Sequence, residues 1–141
     1  MFFIILLGIF AAISLGEGLY SSVFNDALIS YIKSTYPDNL TEYLAGLGYD
    51  TIEHLASDIY KQGVLTLIDG IVVLVAFILC IRRRYWKVAF ALCVIGSILV
   101  LASFIFMTPE MMKKQLFSVI VQTAIGLLIA RGIYVNRKVF R

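Results

Sequence analysis

Two carboxylates stand in sequence that is otherwise apolar. Glu17 follows the run Phe2–Gly16, and Asp69 lies inside the stretch Val64–Ile81. An acid in such a setting can bind a cation, hold or relay a proton, or join helices by hydrogen bonds. Helical spacing extends each acid into a polar line: Ser14, Glu17, Ser21 and Asn25 on one segment, Gln62, Thr66 and Asp69 on another. A third segment offers Gln115, Ser118 and Gln122, with Gly126 on the same side. Convergence of the three faces would make a hydrated vestibule. If Glu17 and Asp69 touch, like-charge repulsion would make them share a proton and titrate as a pair.

The elements that must position these residues are expected to be membrane-spanning helices. The chain of 141 residues is 61% hydrophobic and 15% charged, far more apolar than a soluble domain requires. The fold class expected is an all-α integral membrane protein, a single four-transmembrane-helix bundle with short exterior amphipathic helices. The spans fall at about 2–24, 61–81, 86–107 and 114–134, with an exterior segment at 25–62. Each span is near the roughly 20 residues needed to cross about 30 Å of hydrocarbon. The first could be read as a cleaved signal peptide, but no Lys or Arg precedes it and apolar character resumes after Glu17, so a retained helix is expected.

Charge placement gives an orientation. Arg82, Arg83, Arg84, Lys87, Arg131, Arg137, Lys138 and Arg141 share one side, eight of the twelve basic residues. The other side holds Lys33, Lys61, Lys113 and Lys114 with most of the acids. The positive-inside rule therefore puts both termini in the cytoplasm, in a plasma or inner membrane, with Arg82, Arg83, Arg84, Lys87 and Arg131 at the cytoplasmic interface. Basic residues there suit anionic lipid, so the net charge of +3 is no argument for nucleic acid.

In the exterior segment, Pro37 forces a turn, and Asn39-Leu40-Thr41-Glu42 and Asp50-Thr51-Ile52-Glu53 have capping-box spacing. Two short amphipathic helices are expected to follow. Asn39-Leu40-Thr41 is formally a glycosylation acceptor in a eukaryotic host. Thr108 and Pro109 are suited to start a short turn between the last two spans.

Small residues give expected packing ridges at Gly8, Ala12 and Gly16 and at Ala89, Cys93 and Gly96. Cys80 and Cys93 read as two small apolar thiols with no structural disulfide expected, and the lone His54 beside Glu53 lacks metal-ligand spacing. No cofactor is expected, and no GxSxG, HExxH, CxxC, Walker or dinucleotide motif points to catalysis. The leading functional expectation is an accessory or scaffold subunit that binds a larger membrane complex, in contact with lipid and another integral membrane protein or further copies of itself. The rivals are an oligomeric ion channel or proton-linked transporter using Glu17 and Asp69, and a membrane-embedded immunity or inhibitor protein.

Overall fold

The computed structural model describes residues 2–140; Arg141, counted above with the basic tail, lies outside the described residues. Six α-helices follow in order: α1 (Phe2–Ser22), α2 (Asn25–Thr35), α3 (Leu40–Gly46), α4 (Ile52–Ile81), α5 (Trp86–Ala102) and α6 (Pro109–Val135). Short 3₁₀ turns cover Ser103–Phe106 and Arg137–Val139. Four helical segments, Phe2–Ser22, Ile52–Ile81, Trp86–Phe106 and Pro109–Val135, are long and apolar enough to cross a membrane, with mean hydropathy of 1.9 to 2.9.

The tightest helix pair is α1 against α4. Ser21 meets Gly63, Gly18 meets Leu67, Leu15 meets Gly70, and Gly8 meets Phe77, so the two helices run antiparallel. A Cβ on Gly18 would come 2.5 Å from the Leu67 backbone nitrogen, and one on Gly70 would come 2.7 Å from that of Leu15. Only a missing side chain lets the backbones approach this closely. The ridge expected at Gly8, Ala12 and Gly16 is therefore corrected. Gly8 packs on Phe77, but Ala12 and Gly16 are exposed and Gly16 has open space beside it. The buried stripe of α1 is instead Leu7, Ala11, Ser14 and Gly18, a seam of alternating three- and four-residue steps. On α5, Ala89, Cys93 and Gly96 do face inward. Cys80 and Cys93 are buried free thiols.

Leu7, Val73, Ala76, Cys80, Ile129 and Ile133 fill the end of the bundle that carries the basic turn. Arg82, Arg83, Arg84, Lys87 and Arg131 are all exposed there. Arg83 and Tyr85 hold positive φ angles of 52° and 53°, the left-handed backbone that closes a short connection between antiparallel helices. Arg137 lies 4.4 Å from the Tyr134 ring centre, and Trp86 meets that ring edge-on.

At the opposite end, two sequence boundaries move. The second exterior helix is not separate: α4 starts at Ile52 and runs for 30 residues, about 45 Å. Nothing between Asp58 and Val64 breaks a helix except Gly63, whose lack of a side chain admits the Ser21 backbone. Its cap is Thr51 rather than Asp50, with the hydroxyl accepting from the His54 N–H at 3.3 Å. Likewise α6 starts at Pro109 rather than 114, capped by Thr108. Asn39 occupies the cap position of α3 without a side-chain capping bond. Between α1 and α2 the chain bends, as Ser22 donates to the Gly18 carbonyl and Asn25 donates to the Ser21 carbonyl at 3.1 Å. Such back-bonding competes with the regular ladder.

Helices α2 and α3 and the first turns of α4 form a cap, whose amphipathic faces cover one another and the bundle end. Ile32, Leu44, Tyr49, Ile52, Leu55 and Met111 form one buried cluster. Gly48, at φ +79°, lets the chain leave α3, with the Tyr49 N–H returning to the Leu44 carbonyl at 2.9 Å and the Gly48 N–H to that of Ala45 at 3.0 Å, a Schellman ending. The Thr108 hydroxyl donates to the Leu47 carbonyl while accepting from Met111, so one side chain fastens the cap to α6. Tyr49 donates its phenolic hydroxyl to Asp58 at 3.0 Å. Asp58 also faces His54 and Lys61 at 4.0 and 3.7 Å. Burial, reinforced by the hydrogen bond to Asp58 and its negative charge, pushes the Tyr49 phenol above its ordinary range.

Gly18→Val is expected to destabilise the fold by about 1–3 kcal/mol through overpacking, whereas Gly16→Val is expected to change it by under about 1 kcal/mol; chemical unfolding in mild detergent compares them. Raised in the folded state, the Tyr49 phenol stabilises the fold below the unfolded phenol pKa of about 10, and that contribution is lost as pH rises through the raised value. In an alkaline titration followed by tyrosine absorbance, Tyr49→Phe should therefore remove a late-ionising phenol.

Candidate functional site

The three polar lines meet. A cavity of about 390 Å³ is lined from α1 by Ser14, Glu17 and Ser21, from α4 by Gln62, Thr66 and Asp69, and from α6 by Gln115, Ser118 and Gln122. Each trio is spaced so that its members lie on one helix face. The α1–α4 seam turns the first two faces toward the same space. The structure thus brings together all eight residues singled out as an intramembrane polar group: Ser14, Glu17, Ser21, Thr66, Asp69, Gln115, Ser118 and Gln122. The volume lies within the range of about 300–1,000 Å³ common for small-molecule sites. Among the described residues, two carboxylates and no cationic side chain line the wall.

Asp69 stands at the closed end. It is 2% exposed and accepts a hydrogen bond from the Ser14 hydroxyl, Oγ to Oδ2, at 3.0 Å. Its other oxygen, Oδ1, is buried with no hydrogen-bond partner among the described residues. A Cβ on Gly96 would lie 2.7 Å from Oδ1, so only glycine at that point of α5 leaves the carboxylate its place. Beyond Asp69, a void of about 10 Å³ is lined by Asp69, Val73, Gly96, Ser97, Gln122 and Gly126, with apolar neighbours. Leu7, Val73, Cys93 and Ile129 then pack into the apolar core.

Glu17 has a different setting. It is exposed at the cavity rim, as are Tyr20 and Ser118. No hydrogen bond joins it to Asp69, whose side-chain partner is Ser14. The contact between the two acids that their similar depth left open is therefore not formed. The acids share a chamber, but the α1 residue that reaches Asp69 lies one helical turn before Glu17.

Two contributors, Ser103 and Ser97, were missed as site residues in the sequence, whereas Gln62 was already placed in the α4 polar line. Ser103 lines the chamber where the end of α5 tightens into a 3₁₀ turn. Gln62 holds that turn by donating to the Phe106 carbonyl at 2.8 Å. Ser97 lies beside the deeper void and donates to the Cys93 carbonyl at 3.0 Å. The available signal was Gly96-Ser97 facing Gly126, two small residues and a hydroxyl at matching depth on adjacent antiparallel helices.

His54 stands apart in the cap, edge-on to Tyr49, and no group of three or more His, Cys, Asp and Glu residues suited to a metal occurs among the described residues. Comparisons with protein-family models, with curated proteins and with solved structures find no match to this chain.

Proposed function

We propose that the chain is a multi-pass membrane protein acting as the cation-binding subunit of a channel or ion-linked transporter. The observation that carries this reading is the convergence of three polar helix faces on one chamber with an acidic, cation-free wall. The exterior is apolar, with Ile9, Ile71, Ile98, Phe117 and Leu128 among its exposed side chains. Polar inside and apolar outside suits hydrocarbon as the surrounding solvent, where an unshielded acid near the centre costs about 2.5–3.5 kcal/mol. The positive-inside rule sets the Arg82–Arg84 turn in the cytoplasm and the cap outside. The polar chamber then lies in the outer half of the bundle, with Asp69 at its inner end.

Negative charge within low-dielectric walls concentrates cations, and hydroxyl and amide oxygens replace part of their hydration. The closed apolar half means that passage requires helix movement or a route completed by another chain. Exposure of Glu17 and Ser118 at the rim supports a second reading, the accessory subunit: a partner helix laid over this edge would remove polar groups from lipid.

Two measurements separate these readings. In a background lacking Cys80 and Cys93, cysteines at Ser21, Thr66 and Gln115 should react with an impermeant thiol reagent added from the cap side, while cysteines at Ala76 and Ala89 should not. In liposomes, Glu17→Gln and Asp69→Asn should abolish cation flux with assembly intact. Absence of wild-type flux, together with loss of a copurifying subunit in Glu17→Gln, would replace the channel reading with the accessory one.

A further inference from the structure

We infer that the closed end of the vestibule is a binding site for one small monovalent metal cation, such as sodium, held by Asp69. This inference rests on the reading that the vestibule admits water and ions.

Three observations beyond the presence of an acid point to it. First, Asp69 Oδ1 is buried and unpartnered, while Oδ2 is held by Ser14. An ionised carboxylate left this way needs a counter-charge. A protonated one with its proton on Oδ1 would carry an O–H without an acceptor among the described residues. Second, the adjoining void of about 10 Å³ is about the size that admits a single water-sized species. An alkylammonium ion or a nucleoside does not fit it. Third, the neutral groups around Asp69 have oxygen lone pairs to offer. The Ser97 hydroxyl uses its proton on the Cys93 carbonyl and the Ser14 hydroxyl uses its own on Asp69. Both oxygens therefore keep acceptor capacity. Gln122, which lines both the chamber and the deeper void together with Asp69, brings an amide oxygen.

Charge selects the valence. A single carboxylate with neutral oxygens balances one positive charge, whereas calcium sites typically gather 6–8 oxygens with several carboxylates. Glu17 and Tyr20 in the chamber and Cys93 at the void are the other titratable side chains lining these spaces among the described residues. The chamber, with Glu17 at its rim, supplies the hydrated approach.

The test is thermal unfolding of the full chain in detergent, with sodium chloride titrated against N-methylglucamine chloride at constant ionic strength and with potassium chloride in parallel. A cation that binds only the folded state raises the midpoint as its concentration passes Kd. Sodium should raise the midpoint saturably above its value in N-methylglucamine. Asp69→Asn should remove the shift, and Ser14→Ala should weaken apparent affinity by roughly 10–100-fold, as loss of a group that orients a ligand does. Gly96→Ala, which keeps the charge but crowds Oδ1, should also weaken it. The melting of each variant without sodium shows whether it folds. Should a variant not fold, broadening of the sodium-23 resonance by the wild-type protein, relieved by an excess of lithium as competing cation, reads the same site.

Equal midpoints in sodium and N-methylglucamine, or a sodium shift retained in folded Asp69→Asn, overturns the inference. So does a midpoint that responds to pH identically in both salts, which assigns the site to a proton. If thiol reagents reach Ser21→Cys and Thr66→Cys while sodium has no effect, the inference alone fails. If they do not reach them, the hydrated-vestibule reading fails with it.

Discussion

The close approach of α1 and α4 is the constraint on which the rest of this structure depends. Gly18, Gly63 and Gly70 bring two backbones together over most of their shared length. Only at that separation does the short Ser14 side chain reach the Asp69 carboxylate. The same rotation points Glu17 and Ser21 of α1 and Gln62 and Thr66 of α4 into a common space. A bulky residue in the seam would separate the helices and leave Asp69 without its hydrogen bond. The polar chamber is therefore a consequence of missing side chains on the seam as much as of polar ones beside it.

The two halves of the bundle divide the chemistry. Toward the basic turn, small and branched side chains pack around Ala76, Cys80 and Ala89, each of which is fully buried. Toward the cap, the cores of the same helices become hydroxyls, amides and acids. The cap braces the polar half, since Thr108 ties α6 to Leu47 and Asn25 ties the start of α2 to the Ala56 carbonyl at 3.3 Å. Helices that surround a chamber lack the contacts a packed core would give them, and these side-chain bonds at its mouth offset part of that loss. Asp69 marks the boundary between the halves, with an apolar floor on one side and a polar chamber on the other.

Much of this was legible in the residues because the physics is periodic. Four long apolar runs mark four long helices, and i, i+3, i+7 spacing marked Ser14, Glu17 and Ser21 as one face. What the spacing does not contain is rotation. Gly8, Ala12 and Gly16 form as regular a ridge as Leu7, Ala11, Ser14 and Gly18, and only the partner helix decides that the second is buried. The long continuation of α4 through residues 52–60 was hidden for a related reason. Capping signals at Thr51 start a helix, but no local signal says whether it stops before the next apolar run. The relation of Glu17 to Asp69 needed both pieces of information, since depth alone made them neighbours and rotation gave Asp69 to Ser14.

The most direct measurement is of the seam itself, in native membranes. A Cβ on Gly63 would stand 2.7 Å from the Ser21 Cβ, a small relaxation away from the roughly 3.5–4.5 Å of a disulfide. With Cys80 and Cys93 replaced, the pair Ser21→Cys and Gly63→Cys should cross-link within one chain on mild oxidation, while Leu19→Cys, exposed on the opposite face of α1 at nearly the same depth, paired with Gly63→Cys should not. Cross-linking of the second pair in preference to the first would mean that α1 presents its other face to α4, and the chamber described here would not exist.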